Sequence, residues 1–473
     1  MKTLTSRRSL AALLMAVLLV IFLAPPAFPL FGELTVQKER QLGEEFFLAI
    51  QQVMQIVSDP FVQAYLNRLG QQLVVQLGPG AQPFSYRFFV VNDPTMNAFA
   101  VPGGYVFITT GMIRAMDREG ELVGVLAHEI SHIHRRHMNK MMEKQKITNI
   151  ATLAAVLAGI LIGNPAVAES LIVGGMAGGG SMMLKYSRDM EQEADSYGFR
   201  WMLKSGYSPR DMMAIFKKMS KQRWFQGNAP VYLSTHPDME TRIIELGHQL
   251  AMHLDELPPD REDLEFQYFR TKLESISGSP VQLLRYMTGE AAREPKNALF
   301  HYGRALALAK LEKGPEAIAA FNTAMILAPQ NVLIKRDLAI FYFDHNQPQL
   351  AEKMLNDLSR ANPQDEAVLY YLARLYQERK QGDKALPLFE KVHHLNPTFV
   401  DVYLNLGTLY GEKGDLGLAH YYLGFHSLRA KAYTTALFHF KKAMINLPQS
   451  DSRYSDVKSQ VTRLEKLKIK VRD

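Results

Sequence analysis

The sequence predicts two regions of different fold class: an α+β region, mostly helical with a small sheet, and after it an all-α array of paired helices. The first prediction rests on helical apolar stripes that are interrupted by aromatic-rich alternating segments between residues 84 and 110. The second rests on a proline that recurs every 34 residues, at Pro295, Pro329, Pro363 and Pro397. A chain of 473 residues is too long for one ordinary core, so separate domains are expected.

Composition and charge describe an ordinary globular protein and exclude several classes. Hydrophobic residues make up 47% of the chain and charged residues 21%, and the net charge is +7. No basic block is interleaved with aromatic residues, so we expect no nucleic-acid partner. The chain has no cysteine, which excludes a disulfide framework, a lipoprotein anchor and a cysteine nucleophile.

Residues 1–27 are typical of a secretory signal peptide. Basic residues precede an uncharged apolar run at residues 10–24, which is short for a membrane span, and Pro25-Pro26-Ala27 follow. We predict export with cleavage near Ala27, and an uncleaved anchor is the alternative. An exported chain without cysteine suits the periplasm of a Gram-negative bacterium.

Helices and a small sheet are predicted in the first part of the chain. Apolar residues at every fourth position from Phe61 to Leu77 indicate a helix that stops at Gly78. Residues 84–91 alternate as a strand does. Residues 97–110 read as two further strands around Pro102-Gly103-Gly104.

Residues 121–137 are predicted to form one helix that carries the motif His128-Glu129-Ile130-Ser131-His132. Apolar residues recur there at helical spacing, and no proline interrupts them. His128 and His132 are four residues apart and share one helical face, so both imidazoles can bind one zinc ion. Glu129 lies beside that metal without ligating it and is free to act as a base. A chance occurrence of the pattern is the alternative.

An uncharged stretch at residues 147–163 follows this helix. Asn164-Pro165 ends it before it reaches a comfortable membrane span, and clusters of glycine follow. We predict a buried or membrane-touching helical hairpin over the metal site, and a membrane span is the alternative. Further amphipathic helices are predicted over residues 191–201, 212–223 and 240–254.

A catalytic zinc site needs a third protein ligand, and none follows the motif at a familiar spacing. Met138 stands where a metzincin needs histidine, and Ala151-Thr152 stand where a short-spaced zincin needs an acid. An acidic cluster lies further along the chain, at Asp189, Glu191, Glu193 and Asp195. Glu191 and Asp195 share a helical face, so one can bind zinc while the other accepts a hydrogen bond from a ligand histidine. A solvated acidic face is the alternative.

Beyond residue 295 the same features recur with a period of 34 residues. Small residues hold two registers, which are Ala305, Ala339, Ala373 and Gly407, and Ala317, Ala351, Ala385 and Ala419. A fixed period with small residues where paired helices touch matches the tetratricopeptide repeat. After Ala419 the register slips, because Pro448 lies 51 residues after Pro397. We therefore predict that the helix near residues 417–430 serves two repeats.

The motif pair His128-Glu129-x-x-His132 and Glu191-x-x-Ala194-Asp195, with Tyr186-Ser187-Arg188 before the second, resembles one zinc peptidase family. That family includes the prenyl-protein endoprotease and the HtpX-type heat-shock proteases. The predicted signal peptide and repeats make the chain similar to the periplasmic BepA-type branch. The resemblance implies that Glu191 is the third zinc ligand and that Asp195 supports a ligand histidine.

The same resemblance covers a His-Pro segment, Ser234-Thr235-His236-Pro237. It implies that His236 can occupy the open position of the zinc and hold the enzyme inactive, and that Arg242 binds a substrate carbonyl. An ordinary loop histidine is the alternative for His236. The resemblance also implies that a strand beside the metal helix pairs with extended substrate. A plain core hairpin is the alternative for this strand.

These observations predict an α+β zincin-like zinc metalloendopeptidase domain over residues 28–257, which holds one Zn²⁺ through His128, His132 and Glu191. A helical connector over 258–294, tetratricopeptide repeats over 295–450 and a charged helix or tail over 451–473 follow. The resemblance implies unfolded or stalled outer-membrane proteins as substrates, the outer-membrane β-barrel assembly machinery as a partner of the repeats, and chaperone-like assistance. The alternatives are a chaperone or adaptor with a mostly latent metal site, and a membrane-anchored or membrane-touching protease.

Overall fold

The computed structural model describes residues 35–78, 83–144, 186–226, 232–397, 399–430 and 432–470. The predicted signal segment and the uncharged stretch at residues 147–163 lie outside these ranges. The chain divides into a first unit, Met1–Val57 with Tyr65–Phe266, and a repeat unit, Ser58–Ala64 with Gln267–Asp473. Within the ranges just given, no helix has both the length and the apolar character that crossing a membrane requires.

The first unit contains a three-stranded sheet that follows two helices, α1 (Val36–Val53) and α2 (Pro60–Val75). The strands are β1 (Arg87–Val91), β2 (Ala98–Val101) and β3 (Tyr105–Thr109). Their order is β1-β3-β2, with β1 parallel to β3 and β2 antiparallel to β3. The predicted strands are therefore present, and β2 is an edge strand of the sheet.

The remaining helices of the first unit are α3 (Thr110–Arg114), α4 (Glu119–His134), α5 (His137–Lys144), α6 (Arg188–Lys204), α7 (Pro209–Gln226), α8 (Tyr232–Thr235) and α9 (Met239–Met252), with a short 3₁₀ turn at Leu254–Glu256. The predicted fold class, mostly helical with a small sheet, is thereby confirmed for this unit.

The prediction of one helix over residues 121–137 is wrong at its C-terminal end. Helix α4 ends at His134, and Arg136 has a left-handed backbone with φ of 54°, so the chain turns before α5 begins. The guanidinium of Arg136 pairs with the buried carboxylate of Glu39, which holds the turn in place. Because of this turn, His137 is not on the continuation of α4 and can face it.

Helix α4 is enclosed along almost its whole length, because every residue from Gly120 to Ile133 is buried. Close approach of its neighbours depends on two glycines. A Cβ at Gly124 would lie 2.9 Å from the Cα of Met212 on α7, and one at Gly198 on α6 would lie 2.7 Å from the Met212 side chain. The motif helix is therefore clamped between α6 and α7, which fixes the direction of its histidines.

The repeat unit consists of helix pairs with the predicted 34-residue spacing. Helices α10 (Leu264–Ser277) and α11 (Pro280–Arg293) lead into the array, whose pairs are α12 (Ala298–Lys310) with α13 (Gly314–Leu327), α14 (Val332–Asp344) with α15 (Pro348–Ala361), α16 (Glu366–Glu378) with α17 (Gly382–Leu395), and α18 (Val400–Glu412) with α19 (Leu416–Arg429). Helices α20 (Tyr433–Asn446) and α21 (Ser452–Lys470) follow. The all-α array is confirmed.

Helix α19 serves two helix pairs, as the shifted register predicts. A Cβ at Gly407 of α18 would lie 2.7 Å from Leu423 of α19, and one at Gly424 of α19 would lie 2.6 Å from Phe440 of α20. The same contact between a small and a large residue thus occurs on both sides of α19. The last helix, α21, packs on α20 and buries Val457.

Candidate metal centre

Four buried side chains of the first unit direct metal-binding atoms at one point: His128 and His132 on α4, Glu191 on α6, and His236 after α8. Nε2 of His128 lies 2.9 Å from Nε2 of His132 and 3.2 Å from Nδ1 of His236. Oε1 of Glu191 lies 3.4 Å from Nε2 of His132 and 3.0 Å from Nδ1 of His236. Tetrahedral zinc with bonds of about 2.0–2.1 Å needs ligand atoms roughly 3.3 Å apart. The spacing and the nitrogen and oxygen donors therefore fit zinc.

The carboxylate of Asp195 fixes the tautomer of His128. Nδ1 of His128 lies 2.8 Å from Oδ1 of Asp195, and an ionised carboxylate can only accept a hydrogen bond. The ring proton is therefore on Nδ1, and the lone pair of Nε2 is free for a metal. Asp195 thus occupies the supporting position that the resemblance implied.

A longer chain of hydrogen bonds fixes the tautomer of His132. Nε2 of His137 lies 2.9 Å from Oε2 of Glu193, and Nδ1 of His137 lies 2.9 Å from Nδ1 of His132. Burial lowers the pKa of His137, so its ring is neutral; it donates to Glu193 and accepts from His132. Burial also lowers the pKa of His132 well below its usual value. His132 is therefore a neutral ring with Nε2 free, the form that binds metal.

Arg242 on α9 joins the two acidic residues of this centre. Its Nε and Nη2 each donate to an oxygen of Asp195 at 2.7 Å, and its Nη1 lies 2.6 Å from Oε2 of Glu191. Burial by itself raises the pKa of both carboxyls, but the charge of Arg242 holds both pKa values below their usual range. Glu191 therefore remains ionised inside the protein, as a metal ligand must be.

Glu129 lies beside the four candidate ligands with its acceptor capacity unused. The residue is 0% exposed, and neither carboxylate oxygen has a hydrogen-bond partner among the described residues. Oε1 of Glu129 lies 3.7 Å from Nε2 of His236. Burial, together with the charge of Glu191, raises the pKa of Glu129 to about 7. An unpartnered carboxylate in this place is suited to take a proton from water.

Two tyrosines hold the imidazoles of the centre in place. The ring of Tyr232 stacks on His236 with a centroid separation of 4.2 Å, and the ring of Tyr186 stacks on His132 at 3.9 Å. The backbone N–H of Tyr186 donates to the carbonyl of Thr235 at 3.1 Å, which joins the start of the α6 segment to the His236 loop. His236 is therefore set into the cluster rather than left on an open loop.

The edge strand β2 packs beside α4. Because the N–H of Thr109 donates to the carbonyl of Asn97 at 3.0 Å, alternate residues of β2 pair with β3. By that alternation the backbone groups of Ala98 and Ala100 point away from β3. Ala100 and Val101 also line a cavity together with His132 and Tyr186. The edge is thus adjacent to the candidate metal centre.

The structure brings together the site residues that the sequence singled out, with one difference in role. Arg242 is only 2% exposed, and its guanidinium is committed to Asp195 and Glu191, so the expected contact with a substrate carbonyl does not fit this arrangement. Sequence reasoning missed His137 and Tyr232. Tyr232 stands four residues before His236, a helical spacing that could have indicated a contact between the two side chains. By contrast, the residues Arg135-Arg136 carry no sequence signal for the turn that changes the direction of His137.

A two-histidine helix, a distant glutamate and an unpartnered acid beside them define the class of His-Glu-x-x-His metallopeptidases. Comparison with known families agrees: residues 60–250 match the model of peptidase family M48, and residues 308–375 match that of the tetratricopeptide repeat. The resemblance to this family, inferred from the motif pair and the 34-residue period, is confirmed.

Curated relatives support the same assignment. The chain is 29% identical to the beta-barrel assembly-enhancing protease of Escherichia coli (strain K12) over 304 residues, which cover 63% of this chain and 61% of that protein. It is 27% identical to the protein of the same name from Yersinia pestis over 370 residues, 76% of this chain and 74% of that protein. It is also 27% identical to mitochondrial metalloendopeptidase OMA1 of Schizosaccharomyces pombe over 223 residues, 45% and 61% of the two chains. The match therefore spans less than two thirds of the Escherichia coli relative.

Proposed function

We propose that this chain is a zinc-dependent endopeptidase that holds one Zn²⁺ through His128, His132 and Glu191. The observation that carries the proposal is the convergence of four buried ligand atoms within 4.8 Å of one another. Two imidazoles and one carboxylate are a donor set that suits zinc better than calcium or magnesium. The alternative interpretation of Glu191 and Asp195, a solvent-exposed acidic helix face, would not place these groups together inside the protein.

The chemistry follows from the residues around that set. Zinc, when bound, supplies a Lewis acid that polarises the scissile carbonyl and makes a water more acidic. Glu129 accepts the proton of the attacking water and returns it to the leaving amine. Asp195 and the pair His137 and Glu193 keep the two ligand histidines in the tautomer that leaves Nε2 free. Arg242 keeps Glu191 and Asp195 ionised.

His236 is proposed as the switch of this site. Its Nδ1 lies 3.0 Å from Glu191 and 3.2 Å from His128, which is the separation of a fourth ligand. A ligand in that position excludes the water that hydrolysis needs, because a catalytic zinc site requires one open position. His236 therefore has to leave before peptide is cleaved, and substrate is proposed to pair with the β2 edge when it does.

We propose the periplasm as the compartment and unfolded or stalled outer-membrane β-barrel proteins as substrates. The support is the name of the two bacterial relatives together with the predicted signal peptide at residues 1–27. The repeats are proposed to bind the β-barrel assembly machinery, since such arrays bind other proteins. The domain boundaries proposed with this function are 28–257 for the peptidase, 258–294 for the connector, 295–450 for the repeats and 451–473 for the C-terminal helix.

A second candidate function is that of a chaperone or adaptor whose metal site is mostly latent. The position of His236 among the ligands is the observation that favours it, because a filled fourth position gives no cleavage. The two functions are compatible if the switch opens only on particular substrates.

One experiment separates these functions. Purified wild type and Glu129→Gln are compared for zinc content and for cleavage of an unfolded outer-membrane β-barrel protein. We expect full zinc in both and a loss of about 10²–10⁴-fold in cleavage for the variant, the usual range for a general base. Equal cleavage by the two proteins would overturn the enzyme assignment, and a variant that still assists assembly would support the chaperone.

A further inference from the structure

The seven residues Ser58–Ala64 pack in the repeat unit, although the rest of α2 belongs to the first unit. The ring of Phe61 lies under the guanidinium of Arg336 on α14, with 4.5 Å from Cζ to the ring centroid. Oδ2 of Asp59 lies 3.7 Å from Nζ of Lys272 on α10. We call Ser58–Ala64 the inserted segment.

The surface that receives the inserted segment is built from the first helices of the first two pairs and from α10. Lys272 donates to Asp337 at 2.9 Å, and the hydroxyl of Tyr302 on α12 donates to the same oxygen at 2.7 Å. Arg336 is 5% exposed and the side chain of Lys272 is 13% exposed. We call these four residues, Lys272, Tyr302, Arg336 and Asp337, the acceptor face.

The acceptor face has hydrogen-bonding capacity that the inserted segment does not use. Nη1 of Arg336 donates to Asp365 at 3.3 Å, but its Nε and Nη2 are buried without a hydrogen-bond partner among the described residues. A buried donor without a partner destabilises a fold, because it has lost its hydrogen bonds to water. Nε of Arg336 also lies 3.8 Å from Oδ1 of Asp337, an ion-pair distance that is too long for a hydrogen bond. Phe61 offers this guanidinium a ring face, whereas the N–H groups of Nε and Nη2, on one side of the guanidinium, match a carboxylate.

Packing alone does not explain why the acceptor face contains buried charged and polar side chains. Apolar residues of similar volume usually stabilise a buried contact as well as or better than buried charges do. Within the inserted segment Val62 and Gln63 are buried, whereas Asp59 and Phe61, which face Lys272 and Arg336, are only half-buried. The charged and aromatic contacts with the acceptor face are therefore made by the more accessible side chains of the segment.

We propose that the acceptor face is a peptide-binding site that the chain's own inserted segment occupies, and that it takes from a partner protein a short segment with the same chemistry. That chemistry is an acidic residue two positions before an aromatic one: the acid pairs with Lys272 and the aromatic ring lies under Arg336. A partner segment with one further carboxylate reaches Nε and Nη2 of Arg336, which have no hydrogen-bond partner among the described residues. Because the inserted segment is tethered, it competes at a high effective concentration and lowers the apparent affinity for the partner.

The test uses the full chain and a fluorescent synthetic peptide that carries residues 57–66 of this sequence. The peptide is titrated into wild type and into the double variant Asp59→Asn/Phe61→Ala. Asparagine keeps the cap that Oδ1 of Asp59 gives to the N–H groups of Phe61 and Val62, so α2 retains its first turn. We expect the double variant to bind the peptide at least 10-fold more tightly than wild type does.

Two controls make the result specific. A peptide with the same two substitutions should bind the double variant at least 10-fold more weakly than the parent peptide. Adding Arg336→Gln to the double variant should remove binding, whereas adding Arg360→Gln, an arginine on α15 with its side chain 79% exposed, should leave binding unchanged.

The proposal is overturned if the folded double variant fails to bind the peptide, or if it binds no more tightly than wild type. If the double variant does not fold, the single variant Asp59→Asn decides by the same titration. It retains the Phe61 ring and loses only the charge opposite Lys272, so we expect about a 3-fold gain in affinity; no gain overturns the proposal.

Discussion

Nδ1 of His137 lies 2.9 Å from Nδ1 of His132, so one histidine orients another at the candidate metal centre. Glu193, 2.9 Å from the far side of His137, determines which nitrogen of each ring carries the proton. Both candidate ligand histidines on α4 are therefore oriented by carboxylates, His128 directly and His132 through a neutral ring. Metal-bound histidines commonly donate their second ring nitrogen to such a partner.

Replacing His137 with alanine should weaken metal binding rather than remove it. Loss of such a supporting hydrogen bond usually lowers metal affinity 10- to 100-fold, because the ligand ring is no longer held in its binding tautomer. Competition with a zinc chelator measures the change. His134→Ala is the matched control, since the His134 ring lies against Tyr197 and Trp201, away from the ligands. Equal zinc affinity of His137→Ala and wild type would refute the role of His137.

Glu191→Ala should lose most of its zinc, because the only carboxylate of the proposed ligand set is gone. Inductively coupled plasma mass spectrometry on the purified protein measures the metal content. Glu193→Ala serves as the comparison, as this residue supports His132 only through His137 and should retain more zinc. Full occupancy in Glu191→Ala would exclude it as a ligand.

His236→Ala should raise proteolysis about 3- to 10-fold if His236 fills the fourth position of the metal. The reason is that water then has access to the site without a prior loop movement. The measurement is the initial rate of cleavage of an unfolded β-barrel protein at equal zinc content. His248→Ala on α9 is a suitable control, since His248 is absent from the ligand cluster. An unchanged or lower rate in His236→Ala would argue against the switch.

Arg242→Ala should be strongly destabilising, and Arg242→Lys should only partly restore stability. Removing one partner from a buried ion pair costs about 3–5 kcal/mol, because Asp195 and Glu191 are left as unpaired buried charges. Lysine cannot reproduce the two parallel hydrogen bonds to Asp195. Urea unfolding of the metal-free proteins gives the free energies, which separates this effect from zinc binding. A stable Arg242→Ala protein that has lost only activity would instead favour direct contact with substrate.

The repeat unit should lose stability in mild acid through His393. Burial, together with the charges of Arg429 and His394, lowers the pKa of His393 to about 4, against about 6.5 in the unfolded chain. A histidine with a lowered pKa contributes stability that is present above pH 6.5 and is lost as the pH falls towards 4. Since His393 is only partly buried, we expect a loss on the order of 1 kcal/mol between pH 7 and pH 5.

The check for His393 is the pH dependence of unfolding free energy in wild type and in His393→Gln. The variant should lack this component of the dependence, and His394→Gln should keep most of it, because His394 is exposed and contributes the smallest part of the lowering. Identical pH profiles for His393→Gln and wild type would contradict the prediction.

Sequence reasoning reached the repeats and the proposed ligands for different physical reasons. The repeats were predictable because each helix pair buries the same small and large positions, so Ala305 and Phe321 recur with fixed spacing. His128 and His132 were predictable because four residues on a helix define one face. Glu191 required the family resemblance, since 59 residues separate it from His132 and no local rule joins them.

The parts that were missed depend on tertiary structure. The turn at Arg136 is stabilised by Glu39, which lies 97 residues earlier, so the local sequence alone predicts a helix that continues. On a continuous helix, His137 would face away from His132, five residues before it. Arg242 was assigned to substrate because its burial between two acids cannot be read from a sequence. The inserted segment was missed for the same reason, as an ordinary helix start gives no sign of the surface it contacts.

Helix α19 has a consequence for the cooperativity of the array. In a regular array, terminal pairs can unfold independently because each contacts only its neighbours. Here two adjacent residues of α19 contact different helices: Leu423 packs against α18 and Gly424 against α20. The last helix pair therefore cannot unfold without exposing a face of the pair before it. The segment from α18 to α21 should therefore unfold as one cooperative block, and a chain truncated after Arg429 would expose the apolar face that Phe440 covers.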